Sequence, residues 1–582
     1  DEQGLFDSGE KTGHLYPVYP ESKGVTSNWM IYKIKEIFAS GILDNLEDPL
    51  PEFVRKKYSL PELKTALIWI HTPKKSSDAV SARKRFAFEE IFYIQLNKQI
   101  GRLEAEKMKS YKIELPDSEI KKFTDKFPFE LTDSQKSAID SVLEDMRTPT
   151  PMSRLLEGDV GSGKTAVAAT AVYATIKSTP PGGEFGNLQA AYMVPTEILA
   201  KQHFENFVQF FEGSGIEIGL ITSSGCYKFP SKVNPRESTK ISKTQLLRWI
   251  EKGQIPIVVG THSLVSKNVK FKELALVIID EQHRFGVAQR AKLWKKNTRP
   301  PHVLVMTATP IPRTLAMTLY GDLEVSVIDE LPPGRKPVHT SHVFDNARIK
   351  VFGFMEDQIK RGRQVYVVYP LIEESATLDL KDLMDGYESI ERRFPKPDYQ
   401  ISIVHGKMKP QDKDFEMQRF AEGKTQIMVA TTVIEVGVNV PNASVMVIES
   451  AQRFGLSQLH QLRGRVGRGA EKSYCILMTD KKLSTEARRR MRTMTETNDG
   501  FKIAEVDLEL RGPGDLMGTR QSGVLDLKVA NLATDGKILA FARNTAMDVL
   551  DEDPELKLEK NAPILGRAKE LIFNKPNWSR IS

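Results

Sequence analysis

The stretch that decides the fold of this chain is Gly158-Asp159-Val160-Gly161-Ser162-Gly163-Lys164-Thr165. It has the G-x-x-x-x-G-K-[ST] spacing of a phosphate-binding loop, in which glycines let backbone N–H groups curl around phosphate oxygens. The short run Arg154–Leu156 precedes it, and the helix-forming run Ala166–Ala171 follows it. This strand–loop–helix context predicts that Lys164 reaches the β- and γ-phosphates of a nucleotide and that the Thr165 hydroxyl ligates Mg²⁺.

A second motif, Asp280-Glu281-Gln282-His283, lies further along the chain. It follows the nearly continuous apolar run Leu274–Ile279, which is typical of a buried parallel strand. Asp280 is placed to hold the metal, and Glu281 to orient an attacking water. An isolated Asp-Glu pair is usually only a solvated strand end. Because this pair trails a phosphate loop, we expect the chain to hydrolyse ATP or to use it as a switch.

Bulk composition narrows the class of protein. With 582 residues the chain is too long for one core, so we expect roughly three to five domains. A net charge of +7 suits a nucleic-acid partner without requiring one. The two cysteines, Cys226 and Cys475, lie far apart and exclude a disulfide framework or a zinc-cysteine site. The sequence shows neither a membrane-spanning apolar run nor a signal peptide, so we predict a cytoplasmic protein without a membrane partner.

The order of strand-like and helical runs predicts an α/β fold. Residues 21–125 are helical in pattern, whereas strands alternate with helices in 126–340 and again in 341–485. Two successive βαβ blocks indicate two parallel-sheet domains, with chemistry at the strand ends and in the cleft between them. The predicted strands are Ala190–Val194, Ile255–Gly260, Leu274–Asp280, Val303–Thr307, Gln364–Pro370, Ile401–His405, Ile427–Ala430, Val445–Glu449 and Tyr474–Thr479.

Further motif residues follow these strands. Thr196, Thr261, Thr307, Thr309 and Thr431 stand near strand ends, where hydroxyls and helix N-termini can hold a phosphodiester backbone. The run from Gln461 to Arg468, QLRGRVGR, closes the second block. An arginine-rich patch is usually a solvated face. Since the other block carries a phosphate loop, however, Arg465 and Arg468 become candidate arginine fingers, a role worth roughly 10³–10⁵ in turnover.

This motif series resembles the superfamily 2 helicases and translocases. The residues within its motifs resemble the RecG family in particular. The similar runs are Asp280–Val287 (DEQHRFGV), Met306–Ala316 (MTATPIPRTLA), Leu331–Pro337 (LPPGRKP), Phe501–Asp515 (FKIAEVDLELRGPGD) and Gly518–Gly523 (GTRQSG). The bacterial transcription–repair coupling factor is the nearest other kind of protein. The upstream runs Leu50–Phe53 and Ala82–Ile91 resemble the RecG linker instead.

The resemblance implies two tandem RecA-like motor domains at 126–340 and 341–485, each built on a parallel sheet. It further implies a helical linker at 21–125, a translocation hairpin and loop at 486–530, and a C-terminal helical tail at 531–582. Only the end of an N-terminal oligonucleotide-fold wedge domain, at 1–20, is expected, so most of the wedge is missing.

The resemblance also assigns roles to residues. It makes Gln135 the reader of the adenine edge, beside a nucleotide-binding set of Gly158, Asp159, Gly161, Ser162, Gly163, Lys164 and Thr165. Arg489, Arg511 and Gln521 become candidates for coupling and duplex contact; the alternative is ordinary hairpin packing and surface charge. Asn439 stands where the family usually has Asp, and this exchange predicts altered coupling at most.

The leading hypothesis is an ATP- and Mg²⁺-dependent translocase on double-stranded DNA that remodels stalled forks and Holliday junctions in recombination and repair. A transcription-coupled translocase and a non-motor junction-binding protein with an ATP switch are the alternatives. Retention of Glu281, Arg465 and Arg468 argues against the switch, because a switch needs no water-orienting carboxylate. The resemblance further implies a bacterial, nucleoid-associated monomer, with single-strand-binding protein as a candidate partner.

Overall fold

The computed structural model describes residues 15, 17–22, 24–180, 182, 186–281, 299–312, 316, 323–370, 376–431, 440–467, 469, 472–515, 527–531 and 534–573. The described residues within 1–105, 313–322 and 511–581 form one compact unit. Those within 106–312 and 323–510 form the second. Among all of these residues, no helix is both long enough and apolar enough to cross a membrane.

Helices account for much of the described chain. They are α1 Ser27–Ala39, α2 Glu52–Tyr58, α3 Leu63–His71, α4 Ser76–Glu106, α5 Asp117–Thr124, α6 Asp133–Met146, α7 Lys164–Lys177, α8 Glu197–Phe210, α9 Lys243–Glu251, α10 Arg348–Lys360, α11 Ala376–Arg393, α12 Pro410–Ala421, α13 Leu456–Arg463, α14 Thr485–Glu496, α15 Gly500–Asp515, α16 Gly536–Glu552 and α17 Ala562–Ala568.

The larger sheet of the second unit carries the phosphate loop. Its strands are β1 Ser153–Gly158, β2 Gln189–Met193, β3 Ile218–Ile221, β4 Cys226–Phe229, β5 Thr239–Ile241, β6 Ile257–Gly260, β7 Leu274–Asp280, β8 His302–Thr307 and β9 Glu324–Ile328. Their order is β5-β4-β3-β6-β2-β7-β8-β1-β9, and β4 and β5 form an antiparallel edge on an otherwise parallel sheet. Every residue of β7 is buried, which confirms the predicted buried parallel strand.

The smaller sheet of the same unit is wholly parallel. Its strands are β10 His339–Phe344, β11 Gln364–Val368, β12 Ile401–Val404, β13 Ile427–Ala430, β14 Ala443–Ile448 and β15 Tyr474–Thr479. Their order is β10-β15-β14-β11-β13-β12, and each face of the sheet has a hydrophobic core. The predicted α/β class with two parallel-sheet domains is therefore confirmed. In each sheet the parallel strands bring their carboxyl ends to a common edge.

The first unit has its own core, built from two distant parts of the chain. Helices α2 and α4 pack with α16 and α17 through a common apolar cluster. Two ion-paired or hydrogen-bonded contacts reinforce it: Arg83 forms a bidentate pair with Asp535, and the Glu90 carboxylate accepts the backbone N–H groups of residues 528–530. The predicted linker and C-terminal tail thus share one hydrophobic core.

Three local predictions differ from the structure. Strands β3 to β5 and β9 to β10 were not predicted, because they are short and several of their residues are partly exposed, which blurs the period-two pattern. The run RGPG at Arg511–Gly514, whose glycines and proline favour a turn, is instead part of the end of α15, which extends to Asp515. Apolar residues at helical spacing upstream, including buried Ile503 and Leu508, favour continuation of that helix. Residues 15 and 17–21, at the predicted end of the oligonucleotide-fold wedge domain, are not in a strand.

Candidate nucleotide-binding site and its connection to the hairpin

The phosphate loop joins β1 to α7. Gly158 ends the strand, Lys164 begins the helix, and Gly161 and Gly163 have φ angles of +76° and +86°. A Cβ atom added at Gly163 would lie 2.2 Å from the Nε2 atom of Gln135. Glycine is therefore required at 163 both by the left-handed backbone and by the space available. The predicted strand–loop–helix arrangement is what the structure has.

Gln135 holds the loop from the neighbouring helix α6. Its side chain is fully buried, and its Nε2 atom donates to the carbonyl of Ser162 at 2.7 Å. Its Oε1 atom accepts the backbone N–H of Thr132, whose hydroxyl in turn caps the helix. Both ends of the amide are thus bonded to backbone, so in this conformation Gln135 braces the loop. Its role toward adenine stays a prediction.

Lys164 points back into the loop that it ends. Its Nζ atom donates to the carbonyls of Gly158 and Asp159 at 2.7 and 2.9 Å. Burial lowers the pKa of this ammonium, while the nearby carboxylates of Asp280 and Glu281 oppose that shift. The buried Ser162 hydroxyl has no hydrogen-bond partner among the described residues. A buried cation and an unused hydroxyl beside curled backbone suit a phosphate group.

Asp280 and Glu281 lie at the carboxyl end of β7. Tyr192 and His203 both contact the Oδ2 atom of Asp280 at 3.3 Å. Burial by itself raises the pKa of Asp280, but the hydrogen bond from His203 and the charge of Lys164 bring it below its usual value, so the carboxylate is charged. Glu281 has a φ of +57°, a strained conformation of the kind that clusters at functional sites.

The donor set fits magnesium rather than a metal held wholly by protein. Among the described residues no group of three His, Cys, Asp or Glu side chains is arranged to hold a metal. Mg²⁺ is commonly bound by one or two protein oxygens together with substrate phosphates and waters. Thr165, in the first turn of α7, and Asp280, at the end of β7, carry oxygens of this kind, and their role as Mg²⁺ ligands stays a prediction. The other members of the second motif, Gln282 and His283, lie outside the described residues.

The predicted threonines lie where strands end. Thr196 caps α8 by accepting from the Leu199 N–H, and Thr261 precedes a short 3₁₀ helix after β6. Thr307 ends β8 and bonds to Thr309 through their hydroxyls at 2.9 Å. Thr431 follows β13 and is buried. All five positions therefore lie at or just beyond the carboxyl ends of parallel strands.

Helix α13, which lies between strands β14 and β15 of the smaller sheet in the chain, contacts the phosphate loop. The Nε2 atom of His460 lies 2.6 Å from Oδ1 of Asp159, inside the loop. Burial raises the pKa of Asp159, but the hydrogen bonds from His460 and from the Val160 N–H, together with the charge of Lys164, lower it overall. A Cβ added at Gly464 would lie 2.8 Å from the Cβ of Val160, so the end of α13 packs directly on the loop. His460 was not predicted as a site residue.

Arg463 connects His460 to the hairpin that helices α14 and α15 form. Its guanidinium donates to Nδ1 of His460 at 2.9 Å and to the carbonyls of Met494 and Thr497 at 3.0 and 2.8 Å. Because arginine can only donate, Nδ1 accepts, and Nε2 carries the proton given to Asp159. A hydrogen-bonded path therefore runs from the phosphate loop to the turn of the hairpin.

The other residues that were predicted to act in this region differ in their burial and in their contacts. Arg465 is partly buried just after α13, and Gln461 lies within that helix. Arg489 of α14 forms an exposed ion pair with Glu509 of α15, which is the packing alternative raised for it. Arg511 lies near the C-terminal end of α15. Arg468, Gln521 and Asn439, and the Arg511 side chain, lie outside the described residues.

Arg335 was also missed, although it stands in the LPPGRKP run. Its guanidinium donates to the carbonyl of Val160 and lies against Gly161, where an added Cβ would be 2.0 Å from Nη1. The signal that could have pointed to it is a cation within a Pro- and Gly-rich connection between two motor-type sheets. No local periodicity marks such a residue.

Family models match three parts of the chain. Residues 132–318 match the DEAD/DEAH box helicase model, and 348–470 match the helicase conserved C-terminal domain. Residues 497–582 match domain 3, C-terminal, of the ATP-dependent DNA helicase RecG.

Whole-chain relatives agree with these matches. The chain is 45% identical to the ATP-dependent DNA helicase RecG of a Synechocystis strain, over 95% of this chain and 64% of that protein. It is 46% identical to that of Bacillus subtilis, over 93% of this chain and 76% of that protein. A solved structure of RecG bound to a three-way DNA junction superposes with a TM-score of 0.71 at 39% identity, covering 91% of this chain and 67% of that one. The chain thus spans just under two thirds of the length of the Synechocystis relative.

Proposed function

Because the chain belongs to the RecG family of ATP-dependent DNA helicases, we propose that it couples ATP hydrolysis to movement along double-stranded DNA. The substrates are branched DNA, namely stalled forks and Holliday junctions met in recombination and repair. The solved relative bound to a three-way junction supports this choice of substrate. The relatives' shared ATP dependence supports the choice of fuel.

The chemistry is assigned to the edge of the larger sheet. Lys164 contacts the β- and γ-phosphates, the loop N–H groups surround them, and Glu281 orients the attacking water. Thr165 and Asp280 hold Mg²⁺, which neutralises charge on the phosphates when bound. Arg465 and Arg468 approach from the second sheet as arginine fingers, so hydrolysis depends on closure of the cleft. Gln135 reads the adenine edge once the nucleotide has reshaped the loop.

The observation that best supports a motor function is the hydrogen-bonded path from Asp159 through His460 and Arg463 to the hairpin carbonyls. A change at the phosphate loop alters the Asp159–His460 contact of 2.6 Å directly. Arg463 then transmits it to the turn between α14 and α15, because the same guanidinium bonds both ends. A protein that used ATP only as a clamp would not need its nucleotide loop bonded to a hairpin in this way.

The DNA contacts are assigned to the strand ends and the hairpin. Thr196, Thr261, Thr307, Thr309, Thr431 and Gln461 face the backbone of the duplex or relay its position. Arg489, Arg511 and Gln521 serve coupling and duplex contact from residues 486–530. Phosphate contacts of this kind bind DNA without sequence preference and weaken as salt increases. The protein acts as a cytoplasmic, nucleoid-associated monomer, with single-strand-binding protein as its partner protein.

The test compares ATP turnover on single-stranded, duplex and branched DNA at fixed salt, with junction resolution followed on gels. We expect branched DNA to stimulate turnover most and junctions to be resolved only with ATP and Mg²⁺. Equal stimulation by all three DNAs, with no junction resolved, would reject the proposal. Stable junction binding without turnover would favour the ATP-switch alternative.

A further inference from the structure

The connection between the two sheets places a cation on the phosphate loop. Arg335 lies between β9 and β10, in the segment that links the larger sheet to the smaller one. It is partly buried, and its Nη1 atom donates to the carbonyl of Val160. The guanidinium fills the space beside Gly161, where any side chain would collide with it. Arg335 is therefore seated on the loop rather than in solvent.

The guanidinium of Arg335 forms no ion pair with any residue that the structure describes. Among the described residues, no carboxylate lies within ion-pair distance of its guanidinium. The nearest loop carboxylate, Asp159, is held by His460 at 2.6 Å. Burial lowers the pKa of Arg335 although the charge of Asp159 opposes this shift, and the charge of Arg335 contributes to the lowered pKa of Lys164. Arg335 and Lys164 are thus two cations beside the same loop, and the Val160 carbonyl occupies one of the five N–H donors of the Arg335 guanidinium.

We propose that Arg335 is a phosphate-contacting residue of the nucleotide site, which exchanges the Val160 carbonyl for a phosphate oxygen of bound ATP or ADP. This rests on the proposed function, since it takes the loop to be the nucleotide site. Guanidinium groups suit phosphate because they donate two parallel hydrogen bonds. The contact differs from those of Arg465 and Arg468, because Arg335 belongs to the connection rather than to the second sheet.

The proposal gives the connection a share in nucleotide sensing. With nucleotide bound, the segment Leu331–Pro337 is held to the loop by a charged contact; without it, only the contact with the Val160 carbonyl remains. The alternative is a purely structural role, in which Arg335 clamps the loop whether or not nucleotide is present. The two roles differ in whether phosphate affinity or nucleotide-free stability depends on the guanidinium.

The experiment measures nucleotide affinity by fluorescence titration with labelled ADP and with a slowly hydrolysed ATP analogue. Arg335→Ala should weaken both by about tenfold or more, as expected for loss of a charge-assisted hydrogen bond. Arg335→Lys should fall between Ala and wild type, since it keeps the charge but not the paired geometry. Lys336→Ala is the matched control: it removes an exposed positive charge one residue away and should bind as wild type.

Thermal unfolding of the nucleotide-free proteins separates the two roles. A phosphate contact predicts an unchanged midpoint without nucleotide and a smaller rise on adding ADP. Affinities within twofold of wild type for Arg335→Ala or Arg335→Lys, with a lowered nucleotide-free midpoint, would overturn the proposal. Lys164→Ala shows which idea has failed. If it loses nucleotide while Arg335→Ala does not, only the Arg335 role is rejected; if neither loses nucleotide, the loop assignment itself is rejected.

Discussion

The phosphate loop and the hairpin of α14 and α15 are held in opposite ways. The loop is contacted by buried groups, including Gln135 and Lys164, and it leads into helix α7, most of which is buried. The exposed helix α14 buries only Ala487, Met491 and Met494, and its charged face points to solvent. A few polar contacts, chiefly those of Arg463, tie its end to α13. The loop thus lies in a mostly buried setting, whereas the hairpin is attached through one apolar face and a few polar contacts.

The difference between the two regions predicts that they fail separately. Damage to the loop should stop ATP turnover outright. Damage to the Arg463 path should spare turnover more than movement, because the path lies outside the reacting groups.

Lys164→Ala should reduce ATP turnover to background, because the cation that faces the phosphates is lost. DNA binding without nucleotide should persist, since the positions predicted to contact DNA lie at other strand ends. The measurement is steady-state phosphate release with branched DNA, alongside a gel-shift titration. Lys336→Ala, an exposed lysine outside the loop, is the control for loss of charge. Turnover near the wild-type rate would remove the loop from the chemistry.

Arg463→Ala should cut the number of junctions resolved per ATP by about tenfold, while DNA-stimulated turnover falls less. Its loss leaves the carbonyls of Met494 and Thr497 and Nδ1 of His460 without their donor, a cost of about 1–3 kcal/mol for each buried group. The ratio of ATP consumed to junctions resolved is the measurement. Lys482→Ala, an exposed residue near the hairpin, should leave the ratio unchanged. A fall of both activities by one factor would contradict a coupling role.

Glu157→Gln should stabilise the protein at neutral and higher pH. Burial raises the pKa of Glu157 to about 8, whereas the unfolded chain titrates near the ordinary value of 4.5. Stability is therefore lost as pH rises from about 4.5 to 8, by a few kcal/mol at most. The unfolding midpoint of the variant should exceed that of wild type at pH 8 and approach it at pH 5. A pH-independent difference would mean that the carboxyl does not titrate as stated.

Arg489→Ala should have the smallest effect on folding. Its ion pair with Glu509 is about half exposed on both sides, and such pairs contribute roughly 0–1 kcal/mol. We expect the unfolding midpoint to change by no more than a few degrees. If Glu509→Ala leaves junction activity intact but Arg489→Ala abolishes it, Arg489 acts on DNA and the ion pair is incidental. Equal, small effects of both variants would leave Arg489 a packing residue.

Much of the fold could be predicted because the signals are local. The predicted strands Leu274–Asp280, Ile427–Ala430 and Tyr474–Thr479 agree with the structure to the residue, since buried parallel strands are continuous apolar runs. The antiparallel edge formed by β4 and β5 could not be predicted in the same way. Its strands are short and partly polar, and their pairing depends on neighbours far along the chain.

The same distinction between local signals and contacts of distant residues applies to the candidate site. The positions of Gly158 and Asp280 at strand ends, and of Lys164 at the start of the following helix, follow from spacing and period. The contacts of His460 and Arg335 do not, because any of many histidines and arginines could meet the loop. The roles of Arg468 and Gln521, which lie outside the described residues, stay predictions.

By itself the sequence determined the phosphate loop, the buried strands on either side of it and the order of two motor-type blocks. These depend on interactions within a few residues, so glycine spacing and apolar runs are sufficient. Only the tertiary structure decided what touches the loop: His460, 301 residues from Asp159, and Arg335, 175 residues from Val160. Such contacts depend on how two separate sheets pack, and no periodicity along the chain encodes that.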